Sequence, residues 1–160
     1  MESIIIPFLP KNLGRVNFDI EVMSGERKSF DNVRFKLDSG SDFTTISCEE
    51  LYNLGYSREF LENCPYHHIN AVTASEYGQL KLQYITNISI KFADREIQGC
   101  RIFFALDTKL RSLFGSDILK YFNWEVNYDL GILKLTQVNN KPLLSEGESP
   151  LQIYLAEEER

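Results

Sequence analysis

Cysteine is scarce in this chain, and its few copies are unpaired. Cys48, Cys64 and Cys100 stand far apart and are odd in number. That argues against a disulfide framework and against a Cys-x-x-Cys metal site, and it fits a reducing, cytoplasmic compartment. Basic runs are missing as well. Seventeen Lys and Arg stand against 23 Asp and Glu, giving a net charge of −6, so binding to nucleic acid through phosphate neutralisation is not expected, nor is docking on an anionic membrane. No apolar stretch approaches the ~20 residues that a membrane-crossing helix needs. The N-terminus, Met1-Glu2-Ser3-Ile4-Ile5-Ile6-Pro7, lacks a positively charged leader region and does not read as a signal peptide. No internal repeat is visible.

What is present is alternation. Val16, Phe18, Ile20 and Val22 alternate with polar residues, as expected of a half-buried strand, and Ser24-Gly25 turns the chain into a second strand from about Asn32 to Leu37. Ser41 to Ile46 reads as a further strand. Ser47-Cys48-Glu49-Glu50 is a capping-box pattern that opens a short helix ending at Gly55, and Ser57 to Asn63 suggests another helical turn. Leu80, Leu82 and Tyr84 alternate, and Ile88, Ile90 and Phe92 do so after a phase change near residues 85–87. Ala93-Asp94-Arg95 is a plausible turn before a strand from Ile97 to Ala105. A helix over 117–122, capped by Ser116 or Asp117, and a closing hairpin through Asp129-Leu130-Gly131 complete the pattern. With 43% hydrophobic residues in 160, one domain with a real core is expected, mostly β, with one or two short helices. The more polar stretch 137–160 reads as a C-terminal extension in which Leu151–Leu155 has the pattern of an edge strand.

Asp38-Ser39-Gly40 is the place where chemistry concentrates. An acid at the end of an apolar strand sits close to the core, where burial favours acid/base work. The Ser hydroxyl suits local hydrogen bonds, and Gly lets another backbone approach. By itself the tripeptide is a weak signal, since such a motif arises by chance in roughly one chain of this length in fifteen. Cys64, His67 and His68 form no ligand set, because adjacent histidines on a strand face opposite ways and no second ligand pair exists. Tyr121, Phe122, Trp124 and Tyr128 read as core and strand pairs.

The wider window, Phe35-Lys36-Leu37-Asp38-Ser39-Gly40-Ser41-Asp42-Phe43-Thr44-Thr45-Ile46-Ser47, resembles the active-site segment of retropepsin-like aspartic proteases. Leu113-Phe114-Gly115-Ser116-Asp117-Ile118-Leu119 is similar to that family's late hydrophobic-hydrophobic-Gly mark before a short helix. Phe122 to Leu135 looks like the closing hairpin of its bacterial members. The resemblance covers roughly residues 14–136. It implies a small closed β-barrel with one or two short helices over 1–136, no cofactor or metal, and hydrolysis of peptide bonds by a water held between two carboxylates. This chain carries one such motif: Asp107-Thr108-Lys109 lacks the Gly, and Asp129-Leu130-Gly131 lacks the hydroxyl. The resemblance therefore implies a homodimer with Asp38 from each subunit.

It further implies that Asp38 is the catalytic acid, that Ser39, Gly40 and Gly115 support the active-site loop, and that Gly40 and Asp42 meet the substrate main chain. The covering flap would correspond to Asn70–Gly78, with Thr73, Ala74 and Ser75 as substrate-binding residues and Glu76-Tyr77 standing where a Gly is usual. The alternative from another class is a non-catalytic module that holds an extended peptide on the same fold.

Overall fold

Alternation becomes pleated strand in the computed structural model, which describes residues 3–8, 15–23, 29–68, 71–72, 79–92 and 95–137. β1 (Ser3–Pro7) buries Ile4 and Ile6, while Ser3, Ile5 and Pro7 face out. β2 (Asn17–Met23) buries Phe18, Ile20 and Val22, and β3 (Phe30–Leu37) buries Val33 and Phe35. These two pair antiparallel with Phe18 opposite Phe35 and Ile20 opposite Val33, so their apolar faces form one surface. Burying a side chain such as Phe18 or Phe35 contributes about 1.5–3 kcal/mol.

Ser47, read as a cap, does that work, and Ser57 proves to be a second one. Ser47 accepts a hydrogen bond from the Glu50 amide at the start of α1 (Cys48–Asn53), and Ser57 accepts from the Phe60 amide at the start of α2 (Arg58–Glu62). Leu51, Leu54 and Leu61 turn this helical pair onto the core. The far end of α2 is tied to the sheet by the buried Gln83, whose amide nitrogen donates to the Leu61 and Cys64 carbonyls, each at 3.0 Å. Carbonyls orphaned by the helix terminus are thereby satisfied.

Short β4 (Ala71–Val72) and β5 (Gln79–Leu80) pair with each other, and β6 (Gln83–Phe92) pairs antiparallel with β7 (Arg95–Phe104). The phase change read near residues 85–87 is an irregularity between Ile85 and Ile88. There Asn87 takes a positive φ of 60°, and both isoleucines stay buried although three residues apart. β8 (Leu113–Phe114), α3 (Ser116–Leu119), β9 (Phe122–Asn127) and β10 (Ile132–Gln137) follow.

The mostly-β class with short helices holds. Among the described residues the strands are hydrogen-bonded as three sheets, ordered β1-β10-β9, β7-β6-β2-β3-β8 and β4-β5. They do not close into one hydrogen-bonded barrel. The larger of two core clusters joins Ile4, Ile6, Phe18, Phe35, Leu51, Phe114, Leu133 and their neighbours across both larger sheets.

Three expectations change. Ser41 to Ile46 is a loop in which only Thr45 makes β-bridges. Asp117 lies inside α3, whose N-cap is Gly115 with no side-chain cap, and Phe122 already belongs to β9. Tyr121 and Phe122 are buried, whereas Trp124 and Tyr128 are exposed. The turn at Ala93-Asp94 and the extension beyond Gln137 lie outside the described residues. No described helix is long and apolar enough to cross a membrane.

Candidate active site

Asp38 is placed by the strand that precedes it. β3 is held on one side by β2 and on the other by β8, which runs parallel to it with Lys36 opposite Leu113 and Leu37 opposite Phe114. The Asp38 amide continues that ladder by donating to the Phe114 carbonyl at 3.0 Å, so the residue leaves the sheet from a fixed position. The chain then turns. Ser41 N–H donates to the Asp38 carbonyl at 3.1 Å, Gly40 N–H donates to Asp38 Oδ1 at 3.1 Å, and the Ser41 hydroxyl donates to the Phe43 carbonyl at 2.7 Å. Asp38 is half-buried, while Ser39, Gly40 and Asp42 are exposed. The enclosed carboxylate expected here is not Asp38; it is Asp117, which is 6% exposed.

The second half of the loop is threaded against β8 and α3. Gly115 passes so close that a Cβ there would lie 2.5 Å from the Phe43 carbonyl oxygen and 2.8 Å from that of Ser41. Only glycine fits, for steric reasons and not for its φ, which is −100°. Ser116 N–H donates to the Ser41 carbonyl at 2.8 Å, and Gly115 N–H donates to Thr44 Oγ1 at 3.1 Å. Thr44 in turn donates its amide to Asp117 Oδ2 at 2.9 Å and its hydroxyl to Asp117 Oδ1. Ile118 N–H also donates to Oδ1, at 3.0 Å. Burial pushes the Asp117 carboxyl up from 3.8 to about 6, against the pull of the Thr44 and Ile118 hydrogen bonds and of the Lys120 charge. Read from sequence, Asp117 was one of two candidates, with Ser116, for a helix cap. The visible signal was an acid two residues after the glycine in Leu113-Phe114-Gly115-Ser116-Asp117.

Thr45 and Ile46 finish the clamp. Thr45 exchanges backbone hydrogen bonds with Leu113, its hydroxyl donates to the Arg111 carbonyl at 2.7 Å, and Ile46 N–H donates to the Phe103 carbonyl at 2.9 Å. Phe43, between Asp42 and this clamp, packs in a second apolar cluster with Leu82, Phe103 and Ala105, joined by Ala71, Leu80, Tyr84 and Leu110. The cluster connects the Asp38 loop to β4 and β5, the strands that flank residues 73–78. His67 is buried edge-on to Phe43 and Phe103, with ring centroids 5.2 and 5.3 Å apart.

Asp38, Ser39, Gly40, Asp42 and Gly115 thus come together at one loop crossing. Thr73, Ala74 and Ser75 lie outside the described residues. Among the described residues no group of three His, Cys, Asp or Glu side chains is placed to hold a metal ion. Cys64 is buried and its thiol donates to the Phe60 carbonyl at 3.4 Å; burial pushes that thiol up. A hollow lined by Gly55, Ser57, Phe60, Asn63 and Cys64 lies on the helical pair, and no residue of the Asp38 loop lines it.

No protein-family model and no curated protein sequence matches the chain. In three dimensions it is similar to a retropepsin-like aspartic protease from Rickettsia conorii, with a TM-score of 0.57 over 84% of this chain and 89% of that one, at 20% identity. The fold is retropepsin-like. At that identity the likeness speaks for the architecture, and any chemistry has to be argued from the residues at the loop crossing. In this chain the Asp38 loop, β8 and α3 are one unit: β8 lies between β3 on one side and Thr45 on the other.

Proposed function

We propose that the chain is an aspartic endopeptidase that works as a homodimer, with one Asp38 from each subunit. The observation that carries this is the Asp38 loop: a carboxylate leaving the end of a sheet-held strand, with the Gly40 amide donating to it and an exposed Ser39-Gly40 edge beside it. Two such carboxylates a hydrogen bond apart cannot both ionise, so the pair shares one proton and titrates as a unit. The ionised member takes a proton from a bound water, and the protonated member polarises the scissile carbonyl. One chain supplies half of this arrangement, which is why the reading requires a second copy.

Gly40 supports the same conclusion. A Cβ there would meet nothing of the subunit closer than Asp38 Oδ1 at 3.4 Å, so the subunit's own packing does not call for glycine. A main chain approaching from outside does. The substrate would be an extended peptide held by main-chain hydrogen bonds, with alternate side chains in apolar pockets. Asp42 beside Gly40 and Thr73, Ala74 and Ser75 on the covering segment are assigned to hold it. The protease domain is assigned to residues 1–136, with 137–160 as an extension.

The test is direct. The purified chain is expected to dimerise in sedimentation, to cleave a diverse peptide library between about pH 4 and 7, and to bind a statine-type transition-state mimic. Asp38→Asn is expected to lower cleavage by at least about 10³-fold, as loss of an essential acid–base group does. A strictly monomeric chain that cleaves nothing would sink the enzyme. Equal peptide binding by wild type and Asp38→Asn, without cleavage, would install the non-catalytic module in its place.

A further inference from the structure

Asp117 is the only acidic side chain that the fold encloses among the described residues. It has no place in the two-carboxylate chemistry proposed above, yet it is joined to the Asp38 loop by a chain of hydrogen bonds. Gly115 N–H donates to the Thr44 hydroxyl oxygen, and the Thr44 hydroxyl and amide both donate to the carboxylate. From its own helix the carboxylate receives the Ile118 amide. The charged side chain acting on it is Lys120, at the end of α3, and the loop packed against it carries the carboxylates Asp38 and Asp42. All three hydrogen bonds run toward Asp117, which is the pattern an ionised acid satisfies.

A proton on Asp117 breaks that pattern. Two donors cannot face each other across the Thr44–Asp117 contact. Either the Thr44 hydroxyl turns round to accept from the acid, or the acid proton displaces one of the three donors. Two of those three donors belong to Thr44, so turning its hydroxyl or displacing either of them rearranges the residue that holds Gly115. We propose that Asp117 is the positioning residue of the Asp38 loop and that the loop responds to whether Asp117 carries a proton. The consequence for catalysis rests on the protease proposal, where it adds a third titrating carboxylate to the two of the dyad. The coupling between Asp117 and the loop does not rest on it.

The experiment follows the backbone amides of Gly40, Thr44 and Gly115 by nuclear magnetic resonance between pH 4 and 8, on the full chain. A common inflection near pH 6 is expected in the wild type and in Asp38→Asn. Asp117→Asn keeps the shape and most of the hydrogen bonds but cannot titrate, so the inflection is lost. Thr44→Val removes a hydrogen bond that favours the ionised form, so the inflection moves to higher pH. An inflection that survives Asp117→Asn in the chain already carrying Asp38→Asn, one that Thr44→Val leaves in place, or none at all in the wild type overturns the proposal. Should the amides titrate as expected in a chain that cleaves nothing, the protease reading falls and the coupling stands. Where the chain cleaves peptide, kcat in Asp117→Asn is expected to lose an inflection near pH 6 while KM changes less than twofold.

Discussion

Gly40 and Gly115 both belong to the candidate site, and the subunit's own packing demands only one of them. Gly115 lies in the inner half, where Phe43 to Ile46 are laced to β8 and α3 and the nearest atoms to a would-be Cβ are backbone, at 2.5 to 2.8 Å. Gly40 lies in the outer half, on an exposed turn where a Cβ has ordinary room. The inner half is finished by the chain that carries it. The outer half has its polar groups and its open glycine turned to whatever docks there. The loop is thus laced to the rest of the fold behind and exposed in front, which is the arrangement that the proposed docking of a second copy or a peptide calls for.

The largest effect separates the two glycines. Gly115→Ala forces backbone apart where the loop crosses β8 and α3. It is expected to destabilise by about 3 kcal/mol or more, read from the denaturant midpoint. Gly40→Ala is expected to stay within about 0.5 kcal/mol of wild type in the same measurement. It should nevertheless weaken peptide binding and cleavage at least tenfold, because the methyl occupies the approach to Asp38. Equal losses of stability in the two variants would break the comparison.

A second effect concerns pH. The folded Asp117 carboxyl is raised to about 6 from 3.8, so the folded chain holds that proton more tightly than the unfolded chain does. The stabilisation from this group is complete below about pH 3.8 and is lost as pH rises through 6, a difference corresponding to roughly 3 kcal/mol as an upper figure. The inner half is therefore the half that titrates with the fold. Asp117→Asn should flatten this part of the stability profile between pH 4 and 7. A profile that keeps its slope in Asp117→Asn would move the buried charge out of the inner half.

Sequence and structure part company along the same line. Strands β2, β3 and β10 were legible because one face of each is buried, which imposes alternation on residues such as Phe18, Ile20 and Val22. The helix start at Ser47 was legible because capping is local, reaching three residues along the chain. The Asp38 loop was found because its tripeptide and Leu113-Phe114-Gly115 are short patterns. What Asp117 does was not legible, since its partner Thr44 is 73 residues away and a buried acid after a glycine looks the same as a helix cap. Ser41–Ile46 misled for a related reason. Its β-type residues do make β-type hydrogen bonds, but Thr45 and Ile46 divide them between Leu113 and Phe103, so no strand results.

The smallest effect tests the outer half at its most exposed point. Ser39 has an exposed side chain at the tip of the turn, one residue from Asp38 and one from Gly40. Inside a single subunit its hydroxyl has little to hold, so Ser39→Ala should change the unfolding free energy of dilute monomer by less than about 0.5 kcal/mol. In the proposed homodimer each hydroxyl would meet the other subunit's loop, so its loss from both copies should weaken dimerisation measured by sedimentation, by roughly thirtyfold for two hydrogen bonds of about 1 kcal/mol each. The two measurements pull apart only if the outer half is unsatisfied until a second copy arrives. A Ser39→Ala chain that loses monomer stability and dimerises as before would show that the tip is held from within, and that the division of the loop into a finished and an unfinished half is drawn in the wrong place.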